Sequence, residues 1–307
     1  MNYTFNQLRI FQKVCETGSI TRAAEELHLT QPAVSIQLRN FQDQFDIPLT
    51  EVVSKRLHIT EFGRRILTIA DTILMEASAI EQQSVAFRGK LTGTLKIAVV
   101  STGKYIMPYF LSGFMKQHPG IDLQLDVSNK SLVTTGLERN ETDFSLVSVL
   151  PKNLRLKKIV LMENKLHLVG NNDKPWRTRP YGSEVFESNP LIYREKGSAT
   201  RAAMEHFLTK LNAPLSKKIE LTSNEAVKQA VIAGLGISIM PLIGIRNELR
   251  SGQLRLIPVK GLPIRTMWNL VWPEGKKHSP VASAFAAYLV SEKEAIIRKY
   301  FGDGESV

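Results

Sequence analysis

Between Ser19 and Phe45 the chain reads SITRAAEELHLTQPAVSIQLRNFQDQF, a pattern that fits a helix, a tight turn and a second helix. Ser19 has the side chain of an N-cap. Ile20, Ala23, Ala24 and Leu27 then recur at helical spacing, and the paired alanines let a second helix approach closely. His28-Leu29 breaks the period, Thr30 is a second N-cap, and Pro32 falls in a first turn, where its missing N–H is no loss. Val34, Leu38, Phe41 and Phe45 form one apolar stripe. At about 100° per residue, Pro32, Ser35, Ile36 and Arg39 lie on the opposite side. That face is small and carries little charge, as suits a helix that enters a groove and touches base edges.

Two packed helices recur in many all-α folds, and periodicity alone leaves that alternative open. The flanks favour a DNA reader. Upstream, Phe5, Leu8, Phe11 and Cys15 give a first helix an apolar face that can cover the pair. Downstream, residues 51–60 read as two short strands around Ser54-Lys55-Arg56, a basic hairpin tip that can reach phosphates or the minor groove.

The run NQLRIFQKVCETGSITRAAEELHLTQPAVSIQLRNFQDQF, followed by IPLTEV and KRLHITEFG, resembles the N-terminal domain of LysR-type transcriptional regulators. The remaining chain has the length and layout of their effector-binding half. The resemblance implies that Thr30, Gln31, Pro32 and Ser35 face double-stranded promoter DNA and that Arg56 serves the wing. Ile36 stands where the family often has a polar reader, so a methyl contact to thymine replaces hydrogen bonding there. Thr50 and Val52 stand where the family usually has Phe and Arg, which puts that arginine's phosphate contact in doubt. The LTEVV…KRLHITEFG variant is most similar to the branch regulating carbon-fixation genes.

The formal charge of +11 does not sit on this reading head. Ten basic and ten acidic side chains cancel up to residue 90, so the whole excess falls in residues 91–307. Phosphate binding then rests on local placement of Arg22, Arg39, Lys55 and Arg56 and on helix N-termini. The basic second half fits either solubility or attraction of an anionic ligand. One Cys excludes an internal disulfide framework, and Cys15 reads as a buried structural thiol in a reducing compartment. No apolar run approaches a membrane span of about 20 residues, and the N-terminus lacks an export pattern; a cytoplasmic protein without membrane contact is expected.

From residue 60 to 87 there is no proline and one glycine, and Phe62, Ile66, Ile69, Ile73, Ala77, Ile80 and Phe87 recur in steps of three and four. Leu67, Ala70 and Leu74 widen the stripe. This predicts a helix about 40 Å long. It packs on the helix-turn-helix near Phe62 and Ile66 and, over the rest, against its own copy in a second chain. The resemblance further implies homotetramers, built by pairing effector domains of different dimers.

Beyond a hinge at residues 88–93, strands and helices alternate, the pattern of parallel sheets covered by helices. Strands are expected at 95–100, 121–127, 144–149, 165–170, 191–193, 217–221, 237–240 and 266–272. Helices are expected after residue 103 and at 131–139, 198–211, 224–233 and 281–290. Two crossings near Glu163 and Arg265 give two α/β sub-domains, which resemble the periplasmic-binding-protein-like effector domain of the family. The expected organisation is an α+β multi-domain chain. Its parts are a winged helix-turn-helix at 1–60, a linker helix and hinge at 61–90, and an effector domain at 91–307. Within the last, sub-domain I is 91–163 with 268–307 and sub-domain II is 164–267.

Ligand groups are expected where strands hand over to helices. Ser101, Thr102 and Gly103 open a helix whose free N–H groups can hold an anion, and Gly197, Ser198 and Thr200 repeat the recipe. The GSxTR core of the second segment resembles the family segment lining the inter-domain cleft. Ser128 and Asn129 follow by position, and plain helix capping is the alternative at each hydroxyl. Asn224 reads as a structural cap. No HExxH, CxxC or nucleotide-type glycine loop is present and the six histidines are scattered, so no catalytic residue, metal or cofactor is expected. A ligand-switched DNA-binding regulator is the reading these features favour. A solute-binding module or a degenerate α/β enzyme with a helical extension is the alternative.

Overall fold

The computed structural model describes residues 3–53, 56–86, 91–213 and 217–302. The chain divides into two compact units, Met1–Lys90 and Leu91–Val307.

In the first unit, α1 (Phe5–Thr17) starts from a reciprocal cap: Gln7 N–H donates to Thr4 Oγ1 and Thr4 N–H to Gln7 Oε1. It stops at Gly18, whose φ of +63° is the left-handed conformation glycine adopts freely. α2 (Ile20–Glu26) is capped by Ser19 and α3 (Gln31–Gln42) by Thr30, with Pro32 in its first turn. Phe11, Ala23, Val34, Leu38 and Phe41 are buried between the three helices, and Tyr3, Phe11 and Phe45 ring Phe41 at 5.3–5.6 Å between centroids. Cys15 lies against this core; burial, then the charges of Asp71 and Glu16, push its pKa up to about 12, which holds the thiol neutral.

β1 (Thr50–Val53) and β2 (Arg56–Ile59) pair antiparallel in the register Val53↔Arg56. α4 (Glu61–Ala86) follows, and its start is pressed against the strand entry. A Cβ on Gly63 would stand 2.0 Å from the carbonyl oxygen of Leu49, so only glycine fits there. The helix packs on its own unit further than its periodicity implies. Ile66, Leu67, Ile73 and Leu74 join the core around a buried Ala70, whereas Ile69 and Ile80 are 55% and 72% exposed.

In the second unit β3 (Gly93–Val100) runs parallel to β4 (Ile121–Ser128) and β5 (Phe144–Val147), with α5 (Met107–Gln117) and α6 (Lys130–Glu138) as crossovers. The expected helix does not open at 101–103. A 3-10 turn over Gly103–Tyr105 intervenes and α5 begins at Met107. β6 (Leu156–Asn171) is followed by α7 (Glu184–Glu187), β7 (Leu191–Arg194), α8 (Ala199–Lys210), β8 (Lys218–Leu221), α9 (Asn224–Ile232) and β9 (Ser238–Pro241). α10 (Arg246–Arg250), β10 (Leu254–Ile257), β11 (Ile264–Pro273) and α11 (Pro280–Phe301) complete the chain.

The main sheet has the order β10-β6-β11-β5-β3-β4, with β9 also on β6, while β7 and β8 pair in parallel. The expectation of parallel sheets holds for β3 with β4 and β5 and for β7 with β8, but β6 is antiparallel to β9, β10 and β11, and β11 to β5. β6 is 16 residues long rather than six, because it runs from one hydrophobic core to the other. Its first half serves a core with Leu95, Phe110, Phe144, Trp268 and Phe285. Its second half serves clusters containing Phe186, Tyr193, Met204, Val227 and Ile239. Where β6 and β11 pass between the two lobes, Arg265 Nη1 donates to both oxygens of Glu163 (2.8 and 2.9 Å).

His278, just before α11, lies between the rings of Phe144 and Trp272 (4.7 and 5.1 Å) with both ring nitrogens buried and unpartnered. Burial, then Lys276, lower its pKa despite Asp143, and burial lowers that of His167. The folded state therefore favours neutral imidazole. Stability is retained above the unfolded value of about 6.5 and falls as pH drops below it. Thermal melts between pH 7.5 and 5.5 are expected to show this decline, less steeply in a His278→Phe variant; identical slopes would show that His278 does not contribute.

Candidate functional site

The exposed end of α3 is the first candidate. Thr30, Gln31, Pro32, Ile36 and Arg39 are exposed and Ser35 is half-buried, because Val34, Leu38 and Phe41 take the opposite face into the core. The Thr30 hydroxyl accepts from Ala33 N–H (3.4 Å), which leaves its own hydrogen to donate outward. Residues 54 and 55 lie outside the described residues, so the structure gives no position for Lys55. Arg56 opens β2, with its side chain outside the description.

Thr50 has a role its sequence pattern did not suggest. Its N–H and its Oγ1 both reach Gln42 Oε1 (3.0 and 2.6 Å), tying β1 to the last turn of α3. A residue read only as a departure from the family pattern thus fixes the reading helix against the wing.

The second candidate lies between the two lobes of the α/β unit. Ser101, at the end of β3, is half-buried, and its Oγ accepts from Arg194 Nη2 (3.1 Å) and Asn224 Nδ2 (3.4 Å). Arg194, the last residue of β7, is 4% exposed. Its Nε and Nη2 donate to Glu195 Oε2 and Oε1 (2.7 and 2.8 Å), and its Nη1 is buried without a partner. A buried guanidinium nitrogen without an acceptor is costly, which makes this the most informative atom of the unit. Arg201 fixes the backbone beneath it: its Nη1 donates to the Arg194 carbonyl (3.0 Å) and to Glu220, and its Nε to Glu205.

The other expected ligand residues separate into two groups. Ser198 caps α8 and Asn129 caps α6, so these two are caps, yet Ser198 also lines the cleft. That cleft is open, of about 710 Å3, and runs between the start of α6 and the start of α8. Lys130, Ser131, Lys152, Lys196, Gly197 and Ser198 are among its walls. Gly197 has φ +88°, and a Cβ there would stand 2.7 Å from Ser131 Oγ, so the lobes meet at this point. Ser128 Oγ is buried and unpartnered.

Thr102, Gly103 and Thr200 are turned into the protein. Thr102 is buried and makes no cap bond, a Cβ on Gly103 would strike Leu146, and Thr200 is buried in the first turn of α8. Asn224 corrects another expectation. The cap of α9 is Ser223, which accepts from Ala226 N–H (3.0 Å), and this frees the Asn224 amide to reach Ser101.

On the other side of the hinge, the Tyr105 ring lies against Gly244, where an added Cβ would be 2.8 Å away. Burial raises the Tyr105 pKa, and Lys228, Glu225, Glu248 and Arg194 of the second lobe all act on it. Among the described residues no group of His, Cys, Asp and Glu side chains is placed to hold a metal. No helix among them is long and apolar enough to cross a membrane.

A winged helix-turn-helix followed by a two-lobed α/β unit with a polar cleft defines a DNA-binding regulator that carries its own ligand-binding domain. The chain belongs to the LysR family of bacterial transcriptional regulators. Residues 5–64 match the lysR-family bacterial regulatory helix-turn-helix protein, and residues 88–294 match the LysR substrate binding domain.

Among curated relatives, a RuBisCO operon transcriptional regulator of Allochromatium vinosum is 37% identical, over 95% of this chain and 97% of that one. The transcriptional activator CmpR of Synechocystis is 34% identical, over 96% and 97%. Among solved structures, the regulatory domain of Synechocystis CcmR in complex with 2-PG matches with a TM-score of 0.63 and 29% identity. It covers 66% of this chain and 98% of that one. Full-length CbnR complexed with its target DNA matches in fold, with a TM-score of 0.62 at 20% identity over 94% and 99% of the two chains. The curated relatives thus include RuBisCO operon transcriptional regulators.

Proposed function

We infer that this protein is a non-enzymatic cytoplasmic regulator that binds promoter DNA as a homodimer paired through α4, and as a homotetramer when two dimers associate. A small anionic metabolite bound between its α/β lobes switches it. The observation that carries the switch is Arg194 Nη1, a buried donor without a partner beside the Ser101 hydroxyl of the other lobe. An anion satisfies it, and because Nη1 is buried, the lobes must part to admit the ligand and close again around it. Binding is thereby coupled to lobe movement, and a coupling of about 1–3 kcal/mol suffices for a response. The relative whose regulatory domain was solved with 2-PG gives the first ligand to try. Anisotropy titrations of the operator with and without 2-PG test the switch; no change in affinity or footprint with 2-PG or related phosphorylated or carboxylated metabolites argues against it.

On the DNA side, Gln31 and Ser35 reach base edges, while Lys55 and Arg56 serve the backbone or minor groove. Gln31→Ala is expected to cost about 1–3 kcal/mol on the cognate operator and little on random duplex. Equal losses on both sequences would mean that Gln31 reads no base.

A further inference from the structure

Arg194 does not meet Ser101 of the other lobe as a free cation. Glu195, whose side chain is 17% exposed, grips it in a two-point fork, so the charge nearest the orphaned Nη1 is already neutralised. Its surroundings repeat this balance. Arg201 is shared by Glu205 and Glu220, and Lys228 by Glu225 and Glu248. An anion site built on net charge would leave these cations unmatched; here Arg194, Arg201 and Lys228 each have a carboxylate.

On the reading that the effector anion docks at Arg194, we propose that Glu195 is the specificity-determining residue of that site. By cancelling the guanidinium charge it removes the non-directional attraction that any abundant inorganic anion would feel. What remains is directional: the Nη1 donor and the hydroxyl of Ser101, which retain only a ligand whose acceptors match them. Glu195 acts through Arg194 and is a positioning residue with an electrostatic output. A purely structural Glu195 would only hold the guanidinium in place, and the two roles predict opposite signs on its removal.

The test is Glu195→Gln in the full-length protein, with inorganic phosphate as the probe and 2-PG beside it, followed by calorimetry at several salt concentrations. Glutamine can keep one hydrogen bond to Arg194 but not the charge. Phosphate affinity is expected to rise about tenfold or more and 2-PG affinity by less, so selectivity falls. Phosphate binding also becomes more salt-sensitive, as an unmatched charge requires. Glu195→Asp, which keeps the charge, is expected to keep phosphate out. Weaker or unchanged phosphate binding in Glu195→Gln overturns the proposal and leaves Glu195 a structural clamp.

Arg194→Gln separates the two levels. If it keeps full 2-PG affinity, the docking site itself is misplaced and the role of Glu195 falls with it. If it loses 2-PG while Glu195→Gln gains nothing, only the role of Glu195 falls.

Discussion

Replacing Ile69 and Ile80 together with glutamate is expected to give a folded monomer that has lost most of its affinity for the operator. The two residues lie on α4, eleven positions apart, which at about 100° per residue returns to within about 20° of the same direction. Both are exposed in the isolated chain, whereas Ile66, Leu67, Ala70, Ile73 and Leu74 turn into the helix-turn-helix core. An outward isoleucine face on a long helix is what a second copy covers in a two-stranded contact. Two carboxylates per chain at that seam bring four like charges together and remove four apolar anchors.

The unfolding temperature is expected to shift little, because neither side chain contributes to the core of its own unit. Sedimentation is expected to report monomers. Operator affinity is expected to fall by about 10²–10⁴, the avidity that linking two reading heads provides. A variant that still sediments as a dimer places the dimer contact elsewhere. Ile73→Glu is the internal contrast: it buries a charge against the domain core and is expected to lower stability, which periodicity alone could not distinguish from a seam position.

That contrast marks the boundary of what was legible in the sequence. The helix-turn-helix was, because caps and turns are local: Ser19 and Thr30 act at the positions their chemistry suggests. Which flank of α4 faces inward was not, since its stripe is broad enough to serve two partners. β6 was read as its last residues, 165–170, only, because Lys157, Lys158 and Glu163 interrupt the run where the strand passes between cores. The short reading of the last helix failed for a similar reason, its later turns returning Ile296 and Phe301 to the first core after a charged stretch.

In the cleft, spacing pointed to loops between the lobes but not to the side chains on which the proposed site rests. Thr102 and Thr200 are small hydroxyls at helix starts and turned out to be buried. Arg194 ends an apolar strand, and nothing local shows that its guanidinium lies against a serine 93 positions away. Asn224 sits beside Ser223, two residues of equal capping chemistry, and only the fold decides which of them caps.

Arg194→Gln is expected to abolish the ligand response while leaving ligand-free operator binding within about twofold of the parent. The guanidinium makes three polar contacts, two to Glu195 and one to Ser101, and its Nη1 is left as the donor for the proposed anion. Hydrogen bonds to a charged partner are worth about 1.5–3 kcal/mol, so losing this donor weakens 2-PG by roughly 10–150-fold. Lysine cannot substitute, because a single ammonium cannot grip both oxygens of Glu195 and still present a second donor in a fixed direction. Ser101→Ala tests the same junction from the other lobe. It removes the oxygen that receives both Arg194 and Asn224, and is expected to reduce the response with a smaller loss of affinity. Coupling is reciprocal, so if 2-PG is the ligand, operator DNA is expected to change its affinity by the factor by which 2-PG changes DNA affinity. In Arg194→Gln both factors are expected to fall to one. If 2-PG shifts operator binding in the parent and still shifts it in Arg194→Gln, the ligand is read elsewhere in the unit and the orphaned nitrogen is not its receptor.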